Sequence, residues 1–160
     1  MRRSLVPVLC LALACSAAPS PEDTAALVHF ASRYAAAWGS QQPDSVAAYF
    51  AEDGSLTING GDAAVGRPAI ADAARAFMTA FPDMVVTMDS LGAASDGRSA
   101  TFYWTLVGSN TGPGGSGHPV RISGREEWTL GEGGLIARSR GHFDEAEYQR
   151  QLQGPTAAAT

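Results

Sequence analysis

The chain has 160 residues, 45% of them hydrophobic, and a formal net charge of −5 at pH 7. An acidic chain of this kind has no basic field for the phosphates of nucleic acid, so a nucleic-acid partner is excluded. The two cysteines, Cys10 and Cys15, both lie near the amino terminus, so we expect a core that is stable without an internal disulfide.

The chain begins with "MRRSLVPVLCLALAC", in which two arginines precede a short apolar run. The run is too short to cross a bilayer as a helix and is typical of a secretory signal peptide. We therefore predict a signal peptide over residues 1–14 and an exported, periplasmic or cell-envelope protein. "ALAC" is similar to a bacterial lipobox, so Cys15 is a candidate for lipidation. The lipid would then be the only membrane anchor that we predict. The alternative is a plain secretory signal. Residues 15–22 are predicted to be a linker.

Three helices and one brief strand are predicted next. The first helix begins at Pro21 and ends at Gly39. Its apolar residues recur every three or four positions and form one inward stripe, which consists of Leu27, Phe30, Ala31, Tyr34 and Trp38. A second helix is predicted over 43–54 and a short strand over 55–60. The third helix, 65–83, tolerates a proline in its first turn.

Four strands are predicted to follow, over 84–94, 99–110, 118–130 and 135–143, joined by glycine-bearing hairpin turns. A helical turn over 145–152 closes the domain, and 155–160 is predicted to be a disordered tail. Helices that precede a run of antiparallel strands predict an α+β fold in which a curved sheet wraps the helices on one face. The concave side of such a sheet leaves room for a pocket.

Glu126 interrupts an apolar row on the third of these strands. From Val120 to Leu130 the even positions are otherwise apolar or small, and the odd positions are polar. A carboxylate on an apolar row must be paired or have a raised pKa, and such acids are common at catalytic sites. Two interpretations stay open: a catalytic acid, or an ion pair with Arg138 or Arg140 on the neighbouring strand.

A second polar row ends the last strand, in "RSRGHFD". Alternate residues of a strand share a face, so Arg138, Arg140, His142 and Asp144 are expected on one face, meeting Glu126 across the sheet. Asp144 would then orient the His142 imidazole and raise its basicity, which suits proton abstraction next to a carbonyl. Alternatively, Asp144 caps the following helix and His142 is an edge residue.

Aromatic residues of the helices and strands predict a mainly apolar pocket with few polar groups. For Phe102 and Trp104, packing in the core is the competing interpretation. Asn110 is expected either to donate to a ligand carbonyl or to stabilise the end of its strand. The predicted lining residues are Trp38, Tyr49, Phe77, Phe81, Phe102, Trp104, Asn110 and Trp128. The scattered histidines give no metal signature, the glycine-rich loop is no phosphate loop, and no cofactor is predicted.

Several segments, in order and spacing, resemble the SnoaL-like branch of the nuclear transport factor 2 superfamily. They are "AAYFAEDGSLTI", "VGRPAIADAARAFMTAFPDMVVTMDSL", "FYWTLVGSNTGP", "VRISGREEWTL" and "GGLIARSRGHFDEAEYQRQL". We therefore predict one SnoaL-like domain over 23–154. The resemblance implies an NTF2-like (cystatin-like) cone, with three N-terminal helices packed on a curved antiparallel sheet, and often a homodimer.

The resemblance implies several functions, because the relatives include polyketide cyclases, isomerases, dehydratases, epoxide hydrolases and binding modules. The cyclases are cofactor-free and use a pocket aspartate, whose nearest match here is Asp144. Many relatives carry an acid earlier in that strand, where this chain has Gly141. A histidine that is common in relatives is replaced here by Asn110. The predicted function is acid/base chemistry of the isomerase, cyclase or hydrolase type on a small apolar or carbonyl-bearing molecule, with Glu126, His142 and Asp144 as catalytic candidates. The alternative is a non-catalytic periplasmic ligand-binding module or a dimeric interaction module.

Overall fold

A computed structural model describes residues 20–154 of the chain. The predicted signal peptide, Cys15, the linker as far as residue 19 and the tail 155–160 lie outside the described residues and stay predictions. None of the helices within 20–154 is long and apolar enough to cross a bilayer.

The described chain forms four α-helices and one short 3-10 helix. The α-helices are α1 (Pro21–Gly39), α2 (Pro43–Ala47), α3 (Arg67–Ala80) and α4 (Glu145–Gln153), and the 3-10 helix is Glu132–Gly134. Ser20 begins α1 with a capping box: its hydroxyl accepts from the Asp23 backbone N–H at 3.1 Å, and the Asp23 carboxylate accepts from the Ser20 N–H at 3.0 Å.

Six strands form one curved, unclosed sheet in the order β2-β1-β6-β5-β4-β3. They are β1 (Phe50–Ile58), β2 (Ala64–Val65), β3 (Val85–Ala93), β4 (Ser99–Ser109), β5 (Pro119–Leu130) and β6 (Ile136–Phe143). The predicted α+β class, with N-terminal helices on a curved sheet, is confirmed. One pair departs from the expected antiparallel pattern, since β1 and β6 run parallel. A parallel pair needs a long connection, and here the whole meander from α3 to β5 supplies it.

The second helix is shorter than predicted. It ends at Ala47, and Phe50, expected on a helix face, begins β1 and pairs with Ile136. The β1–β6 register shifts between Phe50 and Ser55. Within this interval a Cβ at Gly54 would lie 2.8 Å from the Ile136 carbonyl oxygen, so only glycine allows this approach. The second half of the predicted helix therefore belongs to β1, and Phe50 is fully buried there.

Tyr34 of α1 lies at the centre of the core between the helices and the inner face of the sheet. Each of its edge contacts with neighbouring rings is worth about 0.5–1.5 kcal/mol beyond burial, so together they fix α1 over β4 and β5. The ring centroids within 5.3–6.3 Å of Tyr34 are those of Trp38, Tyr49, Phe50, Phe102 and Trp128.

Candidate functional site

A small cavity lies between the inner face of the sheet and the helices α1 and α3. Its volume is about 50 Å³, room for roughly three to five water molecules. Aliphatic side chains of β1, β3 and β4 form part of the wall, and Glu126 is the one ionisable side chain among the lining residues. The aromatic lining residues are Trp38, Phe77, Phe102, Trp104 and Phe143.

Three hydrogen-bond donors from three different elements hold the Glu126 carboxylate. Oε2 accepts from Ser139 Oγ at 2.6 Å, from Trp128 Nε1 at 2.9 Å and from the Tyr34 hydroxyl at 3.1 Å. Oε1 accepts only the longer Tyr34 bond, at 3.3 Å, among the described residues. One oxygen is therefore saturated, and the other retains acceptor capacity.

Among residues 20–154, no positively charged side chain pairs with this carboxylate. Glu126 is 6% exposed, and its side chain lies on the apolar inner face of β5. Within residues 20–154 the three ion pairs all lie on the surface and none includes Glu126. The ion pair with Arg138 or Arg140, one of the two interpretations of Glu126, is therefore absent from the described structure.

Burial raises the pKa of Glu126 above its ordinary value of 4.5, and this effect outweighs the hydrogen bonds from Ser139, Trp128 and Tyr34, which lower the pKa. Burial, and then the charge of Glu126, also raise the pKa of the Tyr34 hydroxyl well above 10.0. Tyr34 thus stays protonated and acts as a donor, while the raised pKa of Glu126 means that it keeps its proton to a higher pH than an exposed glutamate does.

Sequence reasoning found Glu126 but missed two of its partners, Tyr34 and Ser139. Ser139 is fully buried between the exposed Arg138 and Arg140, so strand alternation was the signal that its hydroxyl faces inward. Tyr34 belongs to the predicted apolar stripe of α1, and nothing in that stripe marks its hydroxyl as a partner for a carboxylate.

The structure does not bring the three catalytic candidates together. His142 pairs with Arg125 on the outer face of the sheet, and Glu126 pairs with Gly141 on the inner face. The expectation that the polar row of β6 meets Glu126 is therefore wrong. The cause is an irregularity in the β5–β6 register at Ala137, which has no partner on β5. After this extra residue, the side chains of β6 that simple alternation from Ile136 would turn inward point outward instead.

Asp144 is the N-cap of α4, as one of the two interpretations had it. Its Oδ1 accepts from the Glu147 backbone N–H at 2.9 Å. It forms no hydrogen bond with His142 in the described structure. Gly141, where the resemblance would place an acid, instead faces Glu126, and a Cβ there would lie 3.6 Å from Glu126 Cγ.

Half of the predicted lining residues face the cavity. Trp38, Phe77, Phe102 and Trp104 do so, whereas Tyr49, Phe81 and Trp128 pack elsewhere in the core. Asn110 stabilises the end of its strand: its Nδ2 donates to the Ala80 carbonyl at 3.2 Å, and its Oδ1 accepts from the Ser116 N–H at 2.7 Å. The aliphatic lining residues and Phe143 were not predicted, because core and cavity positions share the same apolar pattern.

Two cavity-lining tryptophans have a buried indole N–H without a partner among the described residues. Nε1 of Trp38 and Nε1 of Trp104 are buried without a hydrogen bond to any described residue. The Trp38 side chain lies near the Tyr34 hydroxyl and opposes the rise in the pKa of that hydroxyl, although the two groups do not meet in hydrogen-bond geometry. Within the described part of the chain, no His, Cys, Asp and Glu side chains group closely enough to hold a metal ion.

Comparison with known proteins gives one family and one fold. Residues 31–139 match the model of the SnoaL-like domain family. No curated protein is significantly similar to the chain.

Three solved structures that resemble it share 17–20% identity with the chain, and this likeness shows the fold. A hypothetical protein with a ketosteroid isomerase-like fold from Catenulispora acidiphila, in complex with trimethylamine, is 20% identical with a TM-score of 0.67, covering 86% of this chain and 96% of that one. SalBIII, an epoxide hydrolase/cyclase-like enzyme of pyran ring formation in salinomycin, is 20% identical with a TM-score of 0.67, covering 79% and 96%. A SnoaL-like polyketide cyclase assigned in Jannaschia sp. CCS1 is 17% identical with a TM-score of 0.71, covering 86% and 98%.

Proposed function

The chain belongs to the SnoaL-like domain family, and from its cavity we propose that it binds a small, neutral, carbonyl-bearing molecule and transfers a proton on it through Glu126. The observation that carries the proposal is that Glu126 is the one ionisable side chain among the cavity-lining residues. The cyclase-like and isomerase-like names of its structural neighbours support this class of chemistry. No cofactor takes part in the proposed step.

The proposed step moves one proton and needs no redox partner. A C–H bond next to the ligand carbonyl breaks, its proton passes to Glu126 Oε1, and the electron pair remains on the ligand as an enolate. The proton then returns to the same carbon, which gives exchange, or to another ligand atom, which isomerises the molecule. In a cyclisation, the enolate carbon forms a bond to a second carbonyl carbon of the same ligand, the π bond of that carbonyl breaks, and its oxygen takes the proton from Glu126. A general base works best when its pKa lies near the working pH, and burial shifts Glu126 in that direction.

The donors on Oε2 position the base. Ser139, Trp128 and Tyr34 fix the carboxylate from β6, β5 and α1, so that Oε1 is left as the oxygen with unused acceptor capacity. The lining residues are mainly aromatic and aliphatic, and electrostatic interactions are stronger in an apolar site than in water. The three donors are therefore positioning residues for Glu126.

A second candidate function is the non-catalytic binding of a small alkylammonium ion. The observation that favours it is a buried carboxylate without a cation among the described residues, in a cavity with five aromatic side chains. Aromatic faces attract alkylammonium groups, and a carboxylate would supply the counter-charge. The Catenulispora neighbour was solved with trimethylamine.

Deuterium exchange into butanone distinguishes these two functions. Butanone has five non-hydrogen atoms, which suits a cavity of about 50 Å³. In D2O the wild-type protein is expected to speed the exchange of the protons next to the carbonyl. Proton NMR measures the rate of this exchange from the loss of their signal. Glu126→Gln should abolish the protein-dependent rate, and Glu127→Gln, a change at the exposed neighbour, should leave it intact. Binding of trimethylammonium with no protein-dependent exchange would instead support the second candidate.

We also propose export of the mature protein with Cys15 as its lipidation site, which the amino-terminal sequence pattern alone supports. Homodimerisation, implied by the family resemblance, stays a prediction.

A further inference from the structure

Helix α4 covers a free strand edge in the wall of the sheet. Strand β5 pairs with β6 only from Gly124 onward, so within the described sheet its residues 119–123 have no strand neighbour on that side. The Gln151 side chain takes the place of a strand there. Its Oε1 accepts from the Arg121 backbone N–H at 2.6 Å, and its Nε2 donates to the Arg121 carbonyl oxygen at 2.9 Å. Because a paired strand would satisfy the same two backbone groups, α4 closes the gap that β6 leaves.

The ring of Tyr148 joins this helix to the cavity. It packs against Phe143, with ring centroids 5.5 Å apart, and against Phe81 at the end of α3, with centroids 6.3 Å apart. Phe143 lines the cavity and packs in turn against Trp104, at 6.3 Å. The Phe143 ring therefore lies between the cavity and α4, and a movement of α4 would uncover it.

Few contacts hold α4 in place. None of its nine residues is buried, although Tyr148 and Leu152 are half-buried, whereas α1 and α3 each contain several buried residues. Its side-chain hydrogen bonds to the rest of residues 20–154 lie at its two ends, at Glu145 and Gln151. A helix of this length is unstable by itself in water, and elements with little buried surface open before the core does. It follows that α4 can open while the sheet stays folded.

Asn59 holds the first residue of α4 against the end of β6. Its Nδ2 donates to Glu145 Oε2 at 3.0 Å, and its Oδ1 accepts from the Phe143 backbone N–H at 3.0 Å. Its own N–H donates to the Gly141 carbonyl oxygen at 2.8 Å. With a φ of +49°, Asn59 has a left-handed conformation that is uncommon for residues other than glycine. This one residue fastens the cavity-lining end of β6 to α4.

We infer that α4 is a gate for the cavity, latched by Asn59 at its first residue and by Gln151 in its last turn. When the latches release, α4 moves away from β5 about Asp144, the residue that joins it to β6. A small molecule then passes Phe143 to reach Glu126, and the cavity of about 50 Å³ closes around it when α4 returns. This inference rests on the proposed function in that a ligand enters the cavity, and it adds the route of entry.

Two glutamines of α4 give a matched pair of variants. Each side chain bonds within the helix, Gln151 to Glu147 and Gln149 to Glu145, but only Gln151 also bonds to β5 among the described residues. We expect Gln151→Ala to speed backbone amide exchange in α4 roughly 5- to 150-fold, the equivalent of two hydrogen bonds. Amide exchange in β4 should keep its wild-type rate. Gln149→Ala should stay within about twofold of wild type in both elements.

The rate at which butanone enters the cavity, measured by NMR exchange between its free and bound signals, tests the gate itself. The latch stabilises the closed form with and without ligand. Gln151→Ala should therefore speed butanone entry and release by the same factor as α4 amide exchange, and leave the Kd unchanged. A general loosening of the fold would instead weaken butanone binding and speed amide exchange in β4 as well.

Faster amide exchange in α4 with an unchanged rate of butanone entry would overturn the inference, because the ligand would then use another route. Wild-type α4 amides that exchange as slowly as those of β4 would also overturn it. If Gln151→Ala does not fold, as judged by circular dichroism, Asn59→Gly gives the same comparison. Glycine adopts the same φ without strain and lacks the side-chain bonds to Phe143 and Glu145.

Xenon separates this inference from the proposed function, because it enters apolar cavities without any hydrogen bond. If butanone does not bind, the rate of xenon entry is compared in its place, and entry that is no faster in Gln151→Ala, or no entry at all, overturns the gate. Failure of the proposed proton transfer is visible separately: butanone would enter faster in Gln151→Ala, yet Glu126→Gln would leave its deuterium exchange unchanged.

Discussion

The Ser139 hydroxyl donates to Glu126 Oε2 over 2.6 Å, across the β5–β6 pair. Both side chains are buried on the inner face, where no described cation accompanies the carboxylate. This bond lowers the pKa of Glu126 against the larger effect of burial. The pKa of Glu126 therefore depends partly on the uncharged Ser139 hydroxyl.

Removal of this hydroxyl should raise the pKa of Glu126 further. Ser139→Ala deletes one hydrogen bond to a charged acceptor, worth about 1.5–3 kcal/mol, and so favours the protonated acid. We expect the pH midpoint of butanone exchange to move upward and the free energy of unfolding to fall. Ser90→Ala, at an exposed position of β3, is the matched control and should change neither quantity. An unchanged midpoint in Ser139→Ala would show that the hydroxyl does not set the charge of Glu126.

Loss of the carboxyl group should destabilise the fold more than its neutralisation. Glu126→Ala leaves the Tyr34, Trp128 and Ser139 donors unpaired, at a cost of about 1–3 kcal/mol for an orphaned buried group. Glu126→Gln keeps a carbonyl oxygen as acceptor and should cost less. Urea unfolding measures both, with Glu127→Ala on the exposed side as the control, expected within about 0.5 kcal/mol of wild type. Equal losses for Ala and Gln would contradict the hydrogen-bond network.

Stability should depend on pH with a defined sign. Because the pKa of Glu126 is raised in the folded state, this one group keeps its proton in the folded chain at pH values above 4.5 where it has lost it in the unfolded chain. Glu126 therefore favours folding most below its unfolded pKa, and this contribution is lost as pH rises from 4.5 through the folded value. The melting temperature of wild type minus that of Glu126→Gln should fall across this window. A difference that rises with pH would mean that the folded-state pKa is lowered.

Filling the cavity should block ligand binding without harm to the fold. At Gly141 an added Cβ would meet the Thr57 carbonyl oxygen at 3.5 Å and Glu126 Cγ at 3.6 Å, both ordinary contacts. Gly141→Ala should fold normally and bind butanone more weakly, because the methyl group occupies part of the cavity. Gly92→Ala on β3, whose nearest atom is 4.0 Å away, is the control. Butanone binding that survives Gly141→Ala unchanged would place the ligand elsewhere.

The amino terminus has its own test. Mass spectrometry of the mature protein from a bacterial host should show a chain that begins at Cys15 and carries a diacylglycerol adduct. A chain that begins there without the adduct would remove lipidation and keep export. An intact Met1 would contradict both.

Periodicity predicted the parts of the fold that depend on neighbouring residues. The apolar stripe of α1 and the alternation along β5 marked Tyr34 as buried and Glu126 as a carboxylate among apolar residues. The resemblance to the SnoaL-like family is confirmed by the match over 31–139.

Features that depend on distant partners were not predictable in this way. The parallel pairing of β1 with β6 joins segments about 80 residues apart, and no local pattern shows it. The register irregularity at Ala137 placed His142 on the outer face, although alternation correctly grouped it with Arg138 and Arg140. The choice between core and cavity for each aromatic residue depends on space left by other chain segments, such as the glycine at 141.

The central claim is that Glu126 transfers a proton to and from a ligand in the cavity. The most direct test is the rate of butanone deuterium exchange as a function of pH, after subtraction of the protein-free rate. The account predicts a single rise with a midpoint above 4.5, the ordinary pKa of the group, and loss of that rise in Glu126→Gln but not in Glu127→Gln. Exchange that is no faster with protein than without, or a profile that Glu126→Gln leaves unchanged, would contradict it.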